Sequence, residues 1–505
     1  MPEVDTTTLR MIASKYHLTL KESEIEDYKN LLNQDIFKSY KILDQISDPE
    51  IEVSYPRTAG YRPDNSDNPL NAWYWRTHIQ HADHGKLLGK TLAIKDNVSI
   101  AKVPMMNGSN ILEGYVPHSD ATVVTRVLQE GGDILGKAVC ESLCSDGSSF
   151  TSDTGAVLNP YNHDYSTGGS SSGSAALVAS GEVDMAIGCD QAGSIRIPSA
   201  WCGIYGLKPT WGLVPYTGIF SMDSSLDHVG PMARTVKDLS TLLEVIAGPD
   251  NVDPRQTRLK SKKYTNYLNM NLATMRIGIL KEGFDWANIS EKSVDNVVRK
   301  SVLTFKNCGA IINEVSLPLH RLGIHIWNVI GNGGILTQMI NGAGFRTGEK
   351  CYYDTHLMNE FRARLVNNAN YLSKTVKAAL FAGEFISDTY QMDYYAKAQN
   401  LAQHLKEAYT NLFRNYDMIV MPTVPFKATR LPKKTIPLKA YMSRATGMIH
   451  NTCVFNLTGH PALNVPCGKI NGLPVGMMFV GPVGHDEVIL QAAYVFEQMS
   501  KLEKL

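Results

Sequence analysis

Charge of one sign is missing from this chain: 49 lysines and arginines stand against 49 aspartates and glutamates in 505 residues. No net field therefore draws it to nucleic acid or to an anionic membrane. Long hydrophobic runs are missing too. No uninterrupted apolar stretch approaches the ~20 residues that a bilayer span needs. Residues 1–10 show no apolar core behind a basic flank, so they do not read as a secretory signal. The expectation is a cytoplasmic protein with no membrane or nucleic-acid partner. Cysteine is sparse, eight residues scattered along the chain, which excludes a small disulfide scaffold. Cys140 and Cys144, four apart, would share a helical face. No second pair at zinc-ligand spacing accompanies them, and they read as reduced thiols packing like small hydrophobes. Internal repeats and low-complexity tracts are absent.

What the chain does have is length and alternating pattern. Its size sets a prior of about three domains, with ample chain for a large core. In the first fifty residues Ile25, Tyr28, Leu32, Ile36, Tyr40 and Leu43 recur at three- and four-residue steps, predicting helices with one apolar stripe. Pro56 to Pro69, rich in Pro, Asp and Asn, reads as a linker or an extended wrap. Beyond it, Leu92–Ile94, Arg276–Leu280, Met418–Val420 (ended by Pro422) and Val475–Val480 read as buried strands. Val294, Val297, Val298, Ser301, Val302 and Phe305 read as one face of a helix. The alternation predicts an α/β architecture.

The chemistry concentrates in three places. Two are glycine-flanked serine loops, Gly168-Gly169-Ser170-Ser171-Ser172-Gly173-Ser174 and Gly188-Cys189-Asp190-Gln191-Ala192-Gly193-Ser194-Ile195-Arg196. The third is Lys95, in Leu92-Ala93-Ile94-Lys95-Asp96-Asn97. A hydroxyl is a poor nucleophile unless a base stands in hydrogen-bond reach, and such loops can aim their amides at one point. The set therefore points to acyl transfer. Each part has a plainer reading on its own: Ser194 as the cap of a helix beginning at Ile195-Arg196, Lys95 as a solvated surface residue. As a base, the lysine needs a lowered pKa, which burial at the end of Leu92-Ala93-Ile94 would supply. Asp96 would oppose that, but neighbours in an extended segment point to opposite faces.

Three other patterns compete. Gly169 to Gly173 also fits the G-x-S-x-G nucleophile elbow, but the elbow wants an apolar strand before it, and Asn162 to Thr167 is polar. Gly85 to Thr91 is one residue too short for a phosphate loop and precedes its strand. His78, His81 and His84, with Asp83, could ligate a metal or form a solvated polar stretch.

The ordered set of segments resembles the amidase signature family. It comprises Ala93–Val98, Val103–Ser109, Gly136–Phe150, Gly168–Ser180, Gly188–Thr210, Leu213–Gly218, His325–Ile330, Gly447–Pro466 and Gly472–Met478. Within the family the chain is most similar to the bacterial amidases associated with nitrile hydratases. The resemblance implies a mixed central β-sheet covered by helices. It also implies an N-terminal helical region with linker at 1–70, a large domain at 71–257 plus 416–505, and a smaller inserted domain at 258–415. The implied activity is hydrolysis of small carboxamides by a homodimer, with no metal or other cofactor. The alternative is one component of a tRNA-dependent amidotransferase, which shares the signature.

Carried over residue by residue, the resemblance makes Ser194 the nucleophile, Ser170 the bridge after a cis peptide, and Lys95 the base. A hydroxyl can accept one proton while donating another, so Ser170 can span the gap. The amides of Gln191, Ala192, Gly193 and Ser194 would hold the oxyanion. Ser171 would support the loop, and Asp190 and Arg196 would brace it as an ion pair. Phe150, Ile219 and Trp327 fall in segments that line the acyl site, although each could equally be core. Two departures stand out. Ser172 and Ala192 occupy positions where glycine is common, and a positive φ at Ala192 would be strained.

Overall fold

The structure, a computed structural model, describes residues 3–49, 51–256, 259–345, 348–433 and 435–502. The chain divides into two compact units, Met1–Ile51 and Glu52–Leu505. The domain boundary expected at Thr257 and Arg258 lies outside the described residues.

In the first unit, helices run over Thr6–Lys15, Glu22–Leu31 and Phe37–Leu43, with one wider turn at Leu32–Ile36 joining the last two. Asp5 starts the first helix by accepting the Thr8 amide at 2.7 Å, the usual service of an aspartate cap. The predicted stripe is helical, but only Ile25 is buried. Tyr28, Ile36, Tyr40 and Leu43 are about half exposed or more.

The second unit is built on one sheet. Its strands are β1 (Trp73–Ile79), β2 (Thr91–Lys95), β3 (Asp133–Ala138), β4 (Met185–Asp190), β5 (Tyr205–Lys208), β6 (His228–Ala233), β7 (Arg276–Leu280), β8 (Ile311–Val315), β9 (Met418–Pro422), β10 (Ala462–Ile470) and β11 (Leu473–Val480). They lie in the order β1-β3-β2-β4-β6-β5-β10-β11-β9-β7-β8. Pairings of β2 with β3 and β4, and of β7 with β8 and β9, are parallel; the others are antiparallel. Every residue of β4, β6, β9 and β11 is buried. That is why these segments read as continuous apolar runs rather than alternating ones. The expected mixed sheet is present, and β7 and β8, from the stretch read as an inserted domain, join the same sheet through β9. The 56–69 segment wraps along the edge, with Tyr61 bridged to Arg76 of β1.

Helices cover the sheet. Ser172–Ser180 and Arg196–Cys202 are buried almost all round, as a helix without a polar face must be. The predicted helix around Val294 spans Lys292–Leu303. Further helices, Gly323–Gly334, Lys374–Tyr390 and Leu438–Thr446, supply the outer walls of the site.

Candidate active site

Sheet order brings the reactive residues together. β3, β2 and β4 are parallel neighbours, in register at Leu92, Ile134 and Met185, so the chain leaves all three at the same edge of the sheet. Carboxyl ends of parallel strands are where α/β proteins hold ligands. Lys95 ends β2, the 140–144 segment follows β3, and the 190–196 loop follows β4.

Lys95 is fully buried and its Nζ donates to Ser170 Oγ at 2.8 Å and to the Cys189 carbonyl at 3.2 Å. Asp96 turns the other way, accepting the Met106 amide at 3.0 Å and facing Lys137 Nζ at 3.4 Å, as alternation requires. The lysine's environment differs from expectation. Burial acts to lower its pKa, but the thiols of Cys144, Cys189 and Cys140 act against it and carry the balance above the ordinary lysine value. Nothing in the sequence marks those thiols as its neighbours.

The Gly169–Ser170 peptide is cis. Gly169 must be glycine, since a Cβ there would lie 1.9 Å from the Ser148 carbonyl oxygen. Ser171 donates its amide to the Ser194 carbonyl at 3.1 Å and its hydroxyl to the Cys189 carbonyl at 3.2 Å, which ties the two serine loops together. Ser194 itself is buried beside a cavity, and the helix after it takes no side-chain cap. Its hydroxyl is therefore not consumed as a cap. Among the described residues it has no protein hydrogen-bond partner.

Asp190 organises the 190–196 loop. It takes the amides of Gly193 at 2.7 Å and Ile195 at 3.0 Å and is gripped by Arg196 at 3.0 and 2.9 Å. Burial works to raise its pKa, but the Arg196 guanidinium outweighs this and holds the carboxyl well below its usual range. Gly193, one of the four expected oxyanion donors, thus already gives its N–H to Asp190. The amides of Gln191, Ala192 and Ser194 are left open among the described residues. The positive φ falls on Gly193, at 137°, and not on Ala192, so the expected strain at Ala192 does not arise. A Cβ at Gly193 would also lie 2.4 Å from Thr452 Oγ1.

The family model described as Amidase matches residues 61–490. The chain belongs to the amidase family. It is 44% identical over 457 residues to the enantioselective amidase of Rhodococcus rhodochrous, covering 88% of each chain. It is 36% identical over 426 residues to a glutamyl-tRNA(Gln) amidotransferase subunit of Halothermothrix orenii, covering 84% of this chain and 87% of that one. The crystal structure of the corresponding glutamyl-tRNA(Gln) amidotransferase subunit from Thermotoga maritima matches with a TM-score of 0.71 at 28% identity, covering 85% of this chain and 88% of that chain. The protein is an amide-hydrolysing enzyme of this family.

The amidase's cavity measures about 420 Å³, within the range of small-molecule sites. Gln191, Ala192 and Ser194 form one side; Ile324, Trp327, Ile335, Ala379, Met442 and Ile449 give it an apolar wall. Of the three residues expected to line it, only Trp327 does. Phe150 packs edge-on against Tyr441 at 5.3 Å, and Ile219 is buried in a bridge to Val98. Phe150 is half-buried outside this cavity, and Ile219 lines a separate one with Tyr216 and Arg255.

Several residues of the site carry no local signal. Asn456 donates to Asp190 Oδ1 at 2.9 Å and accepts from Arg196 at 2.8 Å, closing that ion pair from 260 residues away. Thr452 Oγ1 donates to the Ala192 carbonyl at 2.5 Å, and Trp327 Nε1 to the Gln191 carbonyl at 2.7 Å. Ser172, standing where glycine is common, donates to the buried Glu141 at 2.9 Å. The histidines diverge: His78 faces Asp133, His81 stacks on Tyr55, and His84 meets Asp83. Among the described residues no group of three metal-ligating side chains converges, and no helix is long and apolar enough to cross a membrane.

Proposed function

We propose that this amidase hydrolyses linear carboxamides to the carboxylic acid and ammonia through an acyl-enzyme on Ser194. The observation that carries the reading is the 2.8 Å contact between buried Lys95 and Ser170, beside a cavity that Ser194 lines. Ser194 attacks the amide carbonyl while its proton passes through Ser170 to Lys95. The oxyanion rests on the open amides of Gln191, Ala192 and Ser194. The proton returns through Ser170 to the departing ammonia, and water, activated by the same relay, releases the acid.

Lys95 must be neutral to accept that proton, and its surroundings specify how. Cys144 is the sulfur that acts most on Lys95. Burial raises its pKa, but contact with Cys140 and the nearby ammonium outweigh this and bring it down to about 7. Lysine and thiol therefore bias each other's charge. The competent state holds one proton between them, placed on sulfur.

A second reading rests on the Halothermothrix orenii relative: a glutamine-hydrolysing component of a tRNA amidotransferase. Free glutamine brings an α-carboxylate, which needs a cation. No lysine or arginine is among the described residues lining the cavity, whose one carboxylate is Asp146. Charge favours neutral acyl groups. We also propose a self-contained homodimer in the cytoplasm, without nucleic acid, membrane or cofactor, to which the exposed stripe of Tyr28, Ile36, Tyr40 and Leu43 offers an apolar face. A panel of aliphatic, aromatic and amino-acid amides, assayed with hydroxylamine present, tests the proposal. Hydroxamate should form with the native enzyme and not with Ser194→Ala. Activity on glutamine alone, and only with partner subunits, would favour the second reading.

A further inference from the structure

Cys140 and Cys144 occupy a place that their spacing does not suggest. Leu143 and Cys144 adopt left-handed φ values of 47° and 55°, so the segment is a tight turn and not a helix face. Both sulfurs share one acceptor, Asn107 Oδ1, at 3.5 and 3.3 Å. Cys140 is sealed in the core. Cys144 is 7% exposed and lines the cavity with Ser194, Gln191 and Ala192. Of the eight cysteines it alone lines that cavity among the described residues. Thiolates, not thiols, are nucleophiles. Burial pushes Cys189, Cys202 and Cys453 up, whereas at Cys144 it is outweighed by Cys140, Lys95 and Ser170.

We propose that Cys144 is a covalent modification site inside the acyl cavity. It takes small uncharged carbon electrophiles that carry a carboxamide and enter by the substrate's route. With a 2-halocarboxamide the Cys144 sulfur attacks the α-carbon, a carbon–sulfur bond forms, the carbon–halogen bond breaks, and halide leaves. The reacting thiolate carries no proton, so none has to be placed. The thioether then fills the cavity beside Ser194 and removes the sulfur anion that shares a proton with Lys95. Loss of hydrolysis on modification rests on the proposed reading of this cavity; the reactivity of the thiol does not.

The test treats the full-length protein with iodoacetamide and follows intact mass, peptide mapping and amide hydrolysis together. The expected result is a single fast label on Cys144, with activity falling in step. A competing amide should slow the labelling, and iodoacetate should react about tenfold more slowly or worse, since the cavity wall offers it Asp146 and no lysine or arginine, Lys95 lying behind it on Ser170 and the Cys189 carbonyl. Cys140→Ser should keep the fast label and Cys144→Ala should lose it. Should Cys144→Ala fail to fold, the peptide map of the native protein still places the label. Ser194→Ala, which cannot hydrolyse, should label at Cys144 as fast as the native chain. That arm separates the two ideas: normal labelling of a protein whose Ser194→Ala variant still hydrolyses amides would overturn the function and leave the modification site standing. Fast label on another cysteine, or reaction at Cys144 only after denaturation, would overturn the site; full activity after complete labelling at Cys144 would overturn the reading of this cavity as the acyl site.

Discussion

Replacing Trp327 by phenylalanine keeps an aromatic wall in the cavity and removes one donor. The indole N–H holds the Gln191 carbonyl at 2.7 Å. That carbonyl belongs to the same planar peptide as the Ala192 N–H, one of the three amides open to the oxyanion. A neutral hydrogen bond contributes about 0.5–1.5 kcal/mol net, or roughly two- to thirteenfold in rate. Losing a whole oxyanion donor costs ~10²–10³. The remaining ties decide between these limits. Gln191 Nε2 still donates to the Tyr216 hydroxyl at 2.7 Å, Thr452 to the Ala192 carbonyl at 2.5 Å, and Gly193 to Asp190 at 2.7 Å. With those in place the peptide tilts but does not turn over, so kcat should fall about tenfold. Thr452→Val should act similarly with KM unchanged, since Thr452 does not line the cavity. The assay is steady-state kcat and KM on a small aliphatic amide, paired with the affinity of a boronic-acid analogue of the tetrahedral intermediate. Transition-state loss must appear in kcat and in analogue binding together. A rise in KM alone would show that Trp327 is only a wall and refute the positioning argument.

The relay gives the next expectation: Lys95→Ala and Ser170→Ala should each fall close to background, and the double variant should be little worse than either. Ser171→Ala, whose hydroxyl donates to the Cys189 carbonyl, should be milder in the same assay. On the pH axis the competent form is the deprotonated one, so kcat/KM should be lost as pH falls through about 7, where Cys144 titrates. Cys140, Cys189 and Tyr216 are pushed up and stay protonated there, and burial pushes Asp146 up as well. That limb should vanish in Lys95→Ala and move in Cys144→Ala. Arg196→Met strands a buried Asp190 and should cost about 3–5 kcal/mol in urea unfolding; a loss under about 1 kcal/mol would mean that Asn456 and the Gly193 and Ile195 amides satisfy the carboxylate without it. Exhaustive chelation should leave hydrolysis unchanged, and zinc-restored activity would reopen the histidine stretch.

Strands β2, β7, β9 and β11 are legible in the sequence because strands covered on both faces must be apolar throughout, and the family motifs carry Lys95, Ser170 and Ser194. What stays hidden is what long-range packing decides. Asn456 and Thr452 are ordinary residues until the chain folds them onto the 190–196 loop. Helical spacing pairs Cys140 with Cys144, yet two left-handed residues between strand and loop make that period irrelevant. The apolar stripe of the first unit does mark helices, but periodicity reports a face and not what covers it. Phe150 and Ile219 show the same limit: a family segment marks the neighbourhood of a cavity and not which side chains line it.

Placing Lys95 depends on register as much as on motif. β2 is held on both sides by parallel partners, with Ile94 opposite Lys137 of β3 and Ile187 of β4. Side chains on a strand alternate, so a one-residue slip would turn Asp96 toward Ser170 and Lys95 toward Lys137. Such a slip would put a carboxylate where the base belongs and bring two buried cations together. Leu92, Ala93 and Ile94, each fully buried, are what forbid it. The base is therefore positioned by a run of aliphatic side chains that never touch substrate. A polar substitution at Ile94 should damage the relay as surely as one at Ser170, although it would do so by unfolding the edge that holds the site.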